Sequence, residues 1–255
     1  EGKPVGTPDA GAFWRVCEEY GVKALFSAPT AFRAIKKTDP NAECLKPYNL
    51  SKLKTIFMAG ERLDPPTYHW VKELLGLPVI DHWWQTETGW AICGNLMGIE
   101  PKAPKAGSAT LPSPGFNVKI LDDEGQELGP NQQGNVAIKL PLPPSCLPTI
   151  WQDFPRFKDG YLSQFPGYYA SGDGGYIDED GYVFIMGRTD DVINVAGHRL
   201  STGEMEEVLA AHPSVAECAV VGVRCELKGQ VPQGLVLLKD GVDMDEATLQ
   251  AELVA

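Results

Sequence analysis

Between residues 22 and 84 the chain alternates short apolar runs with amphipathic ones, and this alternation constrains the fold more than any other feature of its 255 residues. VKALFSAP is followed by AFRAIKKT, KTIFMAG by PPTYHWVKELLG, and LPVIDHWW closes the series. The first member of each pair has the length and composition of a buried strand. The second places apolar residues at helical spacing, with prolines opening the helix in PPTYHWVKELLG. A preceding run, DAGAFWRVCEEY, puts Phe13, Val16 and Tyr20 on one helix face, with Asp9 as its expected N-cap. This pattern predicts an α/β fold with a mostly parallel sheet, because helices supply the crossovers that parallel strands need.

From about residue 101 helical periodicity disappears. FNVKIL, NVAIKL and GYVFIMG are strand-like and are separated by DDEG, LPLPPSCLP and DEDG. The proline-rich stretch reads as a rigid surface loop, since β-like sequence continues on both sides of it. After Arg188-Thr189-Asp190-Asp191 the texture changes again. Ser201-Thr202-Gly203-Glu204 has the S-x-x-E form of a capping box, VAECAVVGV and GLVLLKD read as strands, and Asp245 opens a last helical pattern. The expected organisation is residues 1–189, α/β over 1–100 and β-rich over 101–189, followed by a small α+β module over 190–255.

Lys and Arg number 22 against 34 Asp and Glu, a net charge of −12. So acidic a chain is poorly suited to non-specific nucleic-acid binding or to docking on an anionic membrane, and any anionic ligand must be held by local groups. No apolar run approaches the ~18 residues that span a bilayer. The six cysteines form no C-x-x-C pair, and His69, His82, His198 and His212 lack zinc-ligand spacing. Free thiols in a reducing compartment are expected, without a zinc site. G-x-x-x-x-G-K-[ST], G-x-G-x-x-G and G-x-S-x-G are all missing, so the P-loop, dinucleotide-binding and α/β-hydrolase signatures are not met in this span.

In an open parallel sheet, ligands bind at the carboxyl ends of strands. Two such ends are polar here: Gly60-Glu61 after KTIFMA, and Gln85-Thr86-Glu87-Thr88-Gly89 after PVIDHWW. Gly60 would let a flat ligand approach the backbone, and Thr86 and Glu87 would present oxygens beside it. Taken singly, Glu61 and Glu87 read first as solvated loop acids; beside a phosphate, Glu87 would suit a hard divalent cation. Trp83 and Trp84, adjacent in a strand, point to opposite faces, so one indole can pack under the helices and the other can face the crevice. Asp173 and Arg188 stand fifteen residues apart around a DEDG turn. A hairpin of that length would bring together a carboxylate able to accept two hydroxyls and a guanidinium able to grip phosphate, which suits a nucleotide.

Together these residues resemble the acyl-adenylate-forming (AMP-binding) enzymes, and among them the short-chain acyl-CoA synthetases, propionyl-CoA synthetases first and acetyl-CoA synthetases next. The matching runs are FSAPTAFRAI, AGERLDP, DHWWQTETG, KAGSAT, YYASGDGGYIDEDGYVFIMGRTDDVINVAGHRLSTGEMEE and HPSVAECAVVG. The resemblance implies part of a large N-terminal domain, with parallel sheet, helices and β-rich subdomain, and a truncated small C-terminal domain. It implies a carboxylate joined to coenzyme A through an acyl-AMP, with ATP and CoA as co-substrates and Mg²⁺ as cofactor. Gly60, Glu61 and Arg62 would line the adenine site, and Asp81, His82, Trp83, Trp84, Gln85 and Thr86 the strand and loop against the nucleotide. Thr86 would touch the α-phosphate and Glu87 would hold Mg²⁺. Asp173 would accept both ribose hydroxyls, Arg188 would also bind the ribose, and Arg199 would approach the phosphates. Asp190 would be the hinge, and Ala196 and Gly197 would line the CoA channel. Trp84 would close the acyl pocket, where Ala59 replaces the Val usual in acetate enzymes, leaving room for propionate.

The chain departs from the family pattern in three places. Arg62 replaces the usual Pro. The phosphate loop would lie upstream of Glu1, and the adenylation lysine beyond Ala255. A fragment lacking both ends is expected to be inactive alone. The partners implied are small molecules, with no nucleic acid and no membrane. The compartment implied is cytoplasm or mitochondrial matrix, and oligomeric state is left open. Two other readings stand beside this one: an adenylation domain loading a carrier protein, and a non-catalytic nucleotide-binding module.

Overall fold

The computed structural model describes residues 3–189, 193–195 and 198–254; the side chains at 194, 198, 199, 204 and 254 also fall outside the description. The chain divides into two compact units. One holds Glu1–Phe57, Asp64–Val79 and Ile193–Ala255, the other Met58–Leu63 and Ile80–Val192.

The first elements follow the strand–helix alternation: α1 (Ala12–Glu19), β1 (Ala24–Ser27), α2 (Pro29–Thr38), β2 (Thr55–Met58), α3 (Pro65–Leu75) and β3 (Val79–Asp81). The strands form a parallel sheet in the order β1-β2-β3. Local chemistry sets the helix ends. Asp64 caps α3 by accepting from the Thr67 N–H at 2.8 Å, and Gly76 ends it at φ +63°. The Asp64 carboxylate also takes Arg33 of α2 at 3.1 Å. Two expectations need correction. The N-cap of α1 is Gly11, and Asp9 instead accepts from the Gly11 N–H at 2.7 Å. β1 is not a buried strand: it lies at the sheet edge, and Phe26 is 59% exposed.

The second unit carries β4 (Trp83–Trp84), β5 (Ala91–Gly94), β6 (Leu111–Pro112), β7 (Val118–Leu121), β8 (Gly134–Lys139), α4 (Phe154–Tyr161), β9 (Tyr168–Ile177) and β10 (Val183–Arg188). Two antiparallel sheets result, β4-β5-β6 and β10-β9-β8-β7. Ile92, Cys93, Val118, Ile120, Val136, Ile138, Tyr169 and Val183 form their shared core. The run LPVIDHWW is therefore not one strand: it leaves the parallel sheet after Asp81 and enters an antiparallel one at Trp83. Residues 141–148 are a loop between the paired strands β8 and β9. Helical periodicity is not wholly lost after residue 101, because Asp153 accepts from the Arg156 N–H and starts α4, which the sequence reading did not foresee.

The remaining elements are β11 (Ile193–Val195), β12 (His198–Leu200), α5 (Thr202–Ala211), β13 (Val215–Cys225), β14 (Gly229–Leu238) and α6 (Glu246–Val254). Their antiparallel sheet runs β12-β11-β14-β13. Asp245 accepts from the Thr248 N–H at 2.9 Å and opens α6, as its position in the sequence predicts. All six thiols are free. Among the described residues no helix is long and apolar enough to cross a membrane.

Candidate functional site

The change of sheet at His82 makes the site. The chain must leave one hydrogen-bonded ladder before joining another, so residues 81–87 run along an open edge instead of being sandwiched. They line a cleft of about 440 Å³ within the second unit, together with residues 60–62, Asp173, Ile185, Gly187 and Arg188. This volume is in the range that takes a small ligand. Every residue expected at a nucleotide whose side chain is described lines this one cleft. The backbone of Arg199 lies on β12, opposite Asn194, and its side chain is outside the description. Asp190, Ala196 and Gly197 also lie outside the described residues. Ala59 is buried, 4% exposed, and does not line the cleft, whereas Trp84 does and is 40% exposed. Gly107, Ala109, Ile185 and Gly187 complete the lining, and sequence reasoning missed all four. The only hint was the Gly-Arg dipeptide that ends β10.

The β9–β10 hairpin sets Arg188 directly opposite Asp173 in register. The turn is made by Asp178, whose carboxylate accepts from the N–H groups of Asp180 and Tyr182, while Gly181 takes φ +84°. The Asp173 carboxylate is 7% exposed as a residue and is wired into place. Its Oδ2 accepts from the Trp83 indole at 3.1 Å and from Gln85 Nε2 at 2.7 Å, and Arg188 stands 3.7 Å from Oδ1. Burial raises its pKa, and Arg188, Trp83, Gln85 and Ser171 pull it back. Arg188 is itself placed by the Ser171 carbonyl at 3.1 Å. It also lies against Gly172, where an added Cβ would come within 2.7–3.0 Å of the guanidinium.

The two tryptophans do not divide as expected. Trp83 packs against the core of the antiparallel sheets, not under helices, and both indoles line the cleft. A register shift between them in β4 breaks the strict alternation that the expectation assumed.

Glu87 sits in a single 3₁₀ turn, Thr86–Thr88. Thr88, fully buried, closes the turn through its hydroxyl to the carbonyls of Gln85 and Trp90. Gly89 at φ +65° lies where a Cβ would meet the Ser145 carbonyl at 2.7 Å, and the Leu147 N–H donates to the Glu87 carbonyl at 2.7 Å. The proline-rich loop thus clamps the turn. Behind the cleft, Tyr161 donates to Glu87 Oε1 at 2.9 Å and Tyr169 to Gln85 Oε1 at 2.8 Å.

On the other side of the cleft, Gly60 has φ +101° with open space where a side chain would stand. Asp81 has fewer compensations than Asp173. Burial pushes its pKa up to about 7, opposed by Arg62 and by the backbone N–H groups of His82 and Leu63. Burial also lowers the pKa of His82. Among the described residues no group of three His, Cys, Asp or Glu could hold a metal. A hard divalent cation that keeps water and takes phosphate oxygens needs only one or two carboxylates, and Glu87 meets that lesser requirement.

Residues 3–143 match the family model described as AMP-binding enzyme, and residues 204–255 the one described as AMP-binding enzyme C-terminal domain. The chain is 51% identical over all its residues to the mitochondrial acyl-CoA synthetase short-chain family member 3 of Mus musculus, covering 37% of that protein. It is 48% identical over 96% of its length to the propionate–CoA ligase of Escherichia coli, covering 39% of it. Among solved structures, the anthranilate CoA ligase AuaEII in complex with anthranoyl-AMP superposes with a TM-score of 0.82 at 27% identity, over 96% of this chain and 44% of that one. The chain therefore spans about two fifths of the length of the curated relatives it matches.

Proposed function

The chain belongs to the AMP-binding enzyme family, and from that premise we propose that it serves the ATP-dependent ligation of a short-chain carboxylate to coenzyme A through an acyl-AMP. The observation that carries this reading is the convergence of Asp173, Arg188, Thr86 and Glu87 on one cleft. In this reading a purine lies over Gly60, where no side chain intervenes. The two oxygens of Asp173 accept the ribose hydroxyls, a task for which its buried, donor-rich setting prepares a carboxylate. Arg188 also binds the ribose, Thr86 touches the α-phosphate, and Glu87 would contribute a carboxylate to Mg²⁺. When bound, Mg²⁺ neutralises charge on the phosphates. A carboxylate oxygen of the substrate attacks the α-phosphorus and pyrophosphate leaves; the CoA thiol then attacks the acyl carbon and AMP leaves. The substrate supplies the nucleophile in both steps, so no catalytic Ser or Cys is needed.

The finer parts of the proposal rest on the resemblance: Arg199 at the phosphates, Asp190 as hinge of a separate domain over 190–255, and Ala196-Gly197 at the CoA channel. The start of the second family match at residue 204 is compatible with that division. Propionate is proposed over acetate, with Trp84 closing the pocket and Ala59 in place of Val. A difference of one methylene is worth ~1–3 kcal/mol, so acetate reacts more slowly but does react. The name of the mouse relative is compatible with a mitochondrial site of action, alongside a cytoplasmic one.

The test replaces the matching stretch of the Escherichia coli ligase by this chain and supplies MgATP, CoA and either acid. Propionate-dependent release of AMP and pyrophosphate with propionyl-CoA formation is expected, whereas residues 1–255 alone release none. Acyl transfer only to a carrier protein would favour that alternative. Nucleotide binding without any acid-dependent turnover would favour a non-catalytic module.

A further inference from the structure

Two tyrosines that do not line the cleft stand behind it as a stacked pair. The rings of Tyr161, the last residue of α4, and Tyr169 on β9 lie 5.4 Å apart at 5°. Their hydroxyls diverge onto neighbouring residues of the cleft edge. Tyr161 donates to Glu87 Oε1 at 2.9 Å; Tyr169 donates to Gln85 Oε1 at 2.8 Å, and Gln85 Nε2 passes the constraint to Asp173 Oδ2 at 2.7 Å. The stack is backed by Phe157, 5.8 Å from Tyr161, and Tyr169 is fully buried. Offset or parallel aromatic contacts of this kind fix ring planes, and so fix where each hydroxyl points.

We infer that Tyr161 and Tyr169 are positioning residues acting as one forked brace, Tyr161 aiming the Glu87 carboxylate at a divalent cation and Tyr169, through Gln85, aiming Asp173 at the nucleoside. This deepens the reading above and rests on it. The division of labour follows from the hydrogen bonds. Tyr161 occupies one oxygen of Glu87, which sets the plane of the carboxylate and the direction of its second oxygen. Tyr169 donates to the Gln85 amide oxygen, which sets which end of the amide faces the strand, while the amide nitrogen donates to both the Ser171 carbonyl and Asp173 Oδ2 at 2.7 Å. Residues that orient a metal-binding carboxylate from behind typically govern metal affinity by 10–100-fold.

The experiment takes the chimera in which this chain replaces the matching stretch of the Escherichia coli ligase, with its variants Tyr161→Phe and Tyr169→Phe, and titrates them with AMP in the absence of metal by calorimetry. It then titrates them with Mn²⁺ at saturating ATP by the electron-paramagnetic signal of free Mn²⁺. Tyr161→Phe keeps the stack and removes one hydroxyl. It is expected to weaken Mn²⁺ binding about tenfold while leaving AMP affinity within about twofold. Tyr169→Phe is expected to weaken AMP about tenfold and leave the Mn²⁺ dependence of ATP binding unchanged. If Tyr169→Phe does not fold, Gln85→Leu cuts the same relay at its other end. Parallel changes in both ligands, or no change in either, would overturn the brace while leaving the nucleotide reading intact. Failure of the unsubstituted chimera to bind AMP or Mn²⁺-ATP would instead overturn the nucleotide reading, and the brace with it.

Discussion

Asp173 and Asp81 face the same cleft, and burial raises the pKa of each, yet their surroundings differ sharply. Asp173 has the indole of Trp83, the amide of Gln85, the Ser171 hydroxyl and the Arg188 guanidinium to offset its desolvation. Asp81 has Arg62 and two backbone N–H groups, and ends near 7. A carboxylate surrounded by donors is prepared to stay charged and accept further hydroxyls; one with few donors tends to neutralise. In the proposed function this contrast fits ligand recognition on the hairpin side of the cleft, with Asp81 a group whose charge the fold tolerates at a cost.

The hardest test of that contrast is Asp173→Asn. The amide keeps the shape but turns one acceptor into a donor against Trp83 and Gln85. AMP affinity of the chain, followed by calorimetry, should fall on the order of 100-fold, because hydrogen bonds to a charged acceptor are each worth about 1.5–3 kcal/mol. An unchanged affinity would dissolve the distinction between the two sides. Gly172→Ala should act less strongly. Its φ of +73° disfavours a side chain, and the new Cβ must push Arg188 aside. We expect a fall in Tm of about 2–4 °C from ~1 kcal/mol of backbone strain, together with roughly tenfold weaker AMP binding. Loss of Tm with full affinity would show that Arg188 need not lie against the backbone.

The smallest effect belongs to Asp81→Asn and is read as a pH slope. The folded pKa, near 7, lies above the ordinary value of 3.8. Between those values the folded state binds more protons than the unfolded one, so stability falls as pH rises through this window. Urea titrations at pH 4, 6 and 8 should show the unmodified chain losing stability of order 1 kcal/mol that the Asn variant keeps, the partial exposure of the group damping the effect. Equal slopes would mean that Asp81 is as well compensated as Asp173.

What was legible in the sequence is what neighbours in sequence decide. Asp64 and Gly76 announce the ends of α3, Asp245 the start of α6, and Asp178 with Gly181 the hairpin that pairs Asp173 with Arg188. The cleft lining was legible through the resemblance and through strand ends. Long-range contacts were not. The partner of Trp83 lies 90 residues away, that of Glu87 74 and that of Gln85 84, on strands and a helix whose placement no local pattern states. α4 escaped because its FPRFKDGY carries a Pro and a Gly, and it holds through the Asp153 cap, the tilted contacts among Phe154, Phe157 and Tyr161, and the stacking of Tyr161 on Tyr169. The exposure of β1 escaped because an apolar run looks the same at the edge of a sheet as at its centre.

The clamp on the Glu87 turn changes how freely one surface loop can vary. Exposed loops ordinarily absorb insertions and drift in composition. Here the Ser145 carbonyl abuts Gly89 and the Leu147 N–H holds the Glu87 carbonyl, so a length change between residues 141 and 148 is transmitted to the carboxylate itself. The loop inherits the selective constraints of the cleft without contributing a side chain to it, and Gly89 and the register of Ser145 and Leu147 should drift together or not at all.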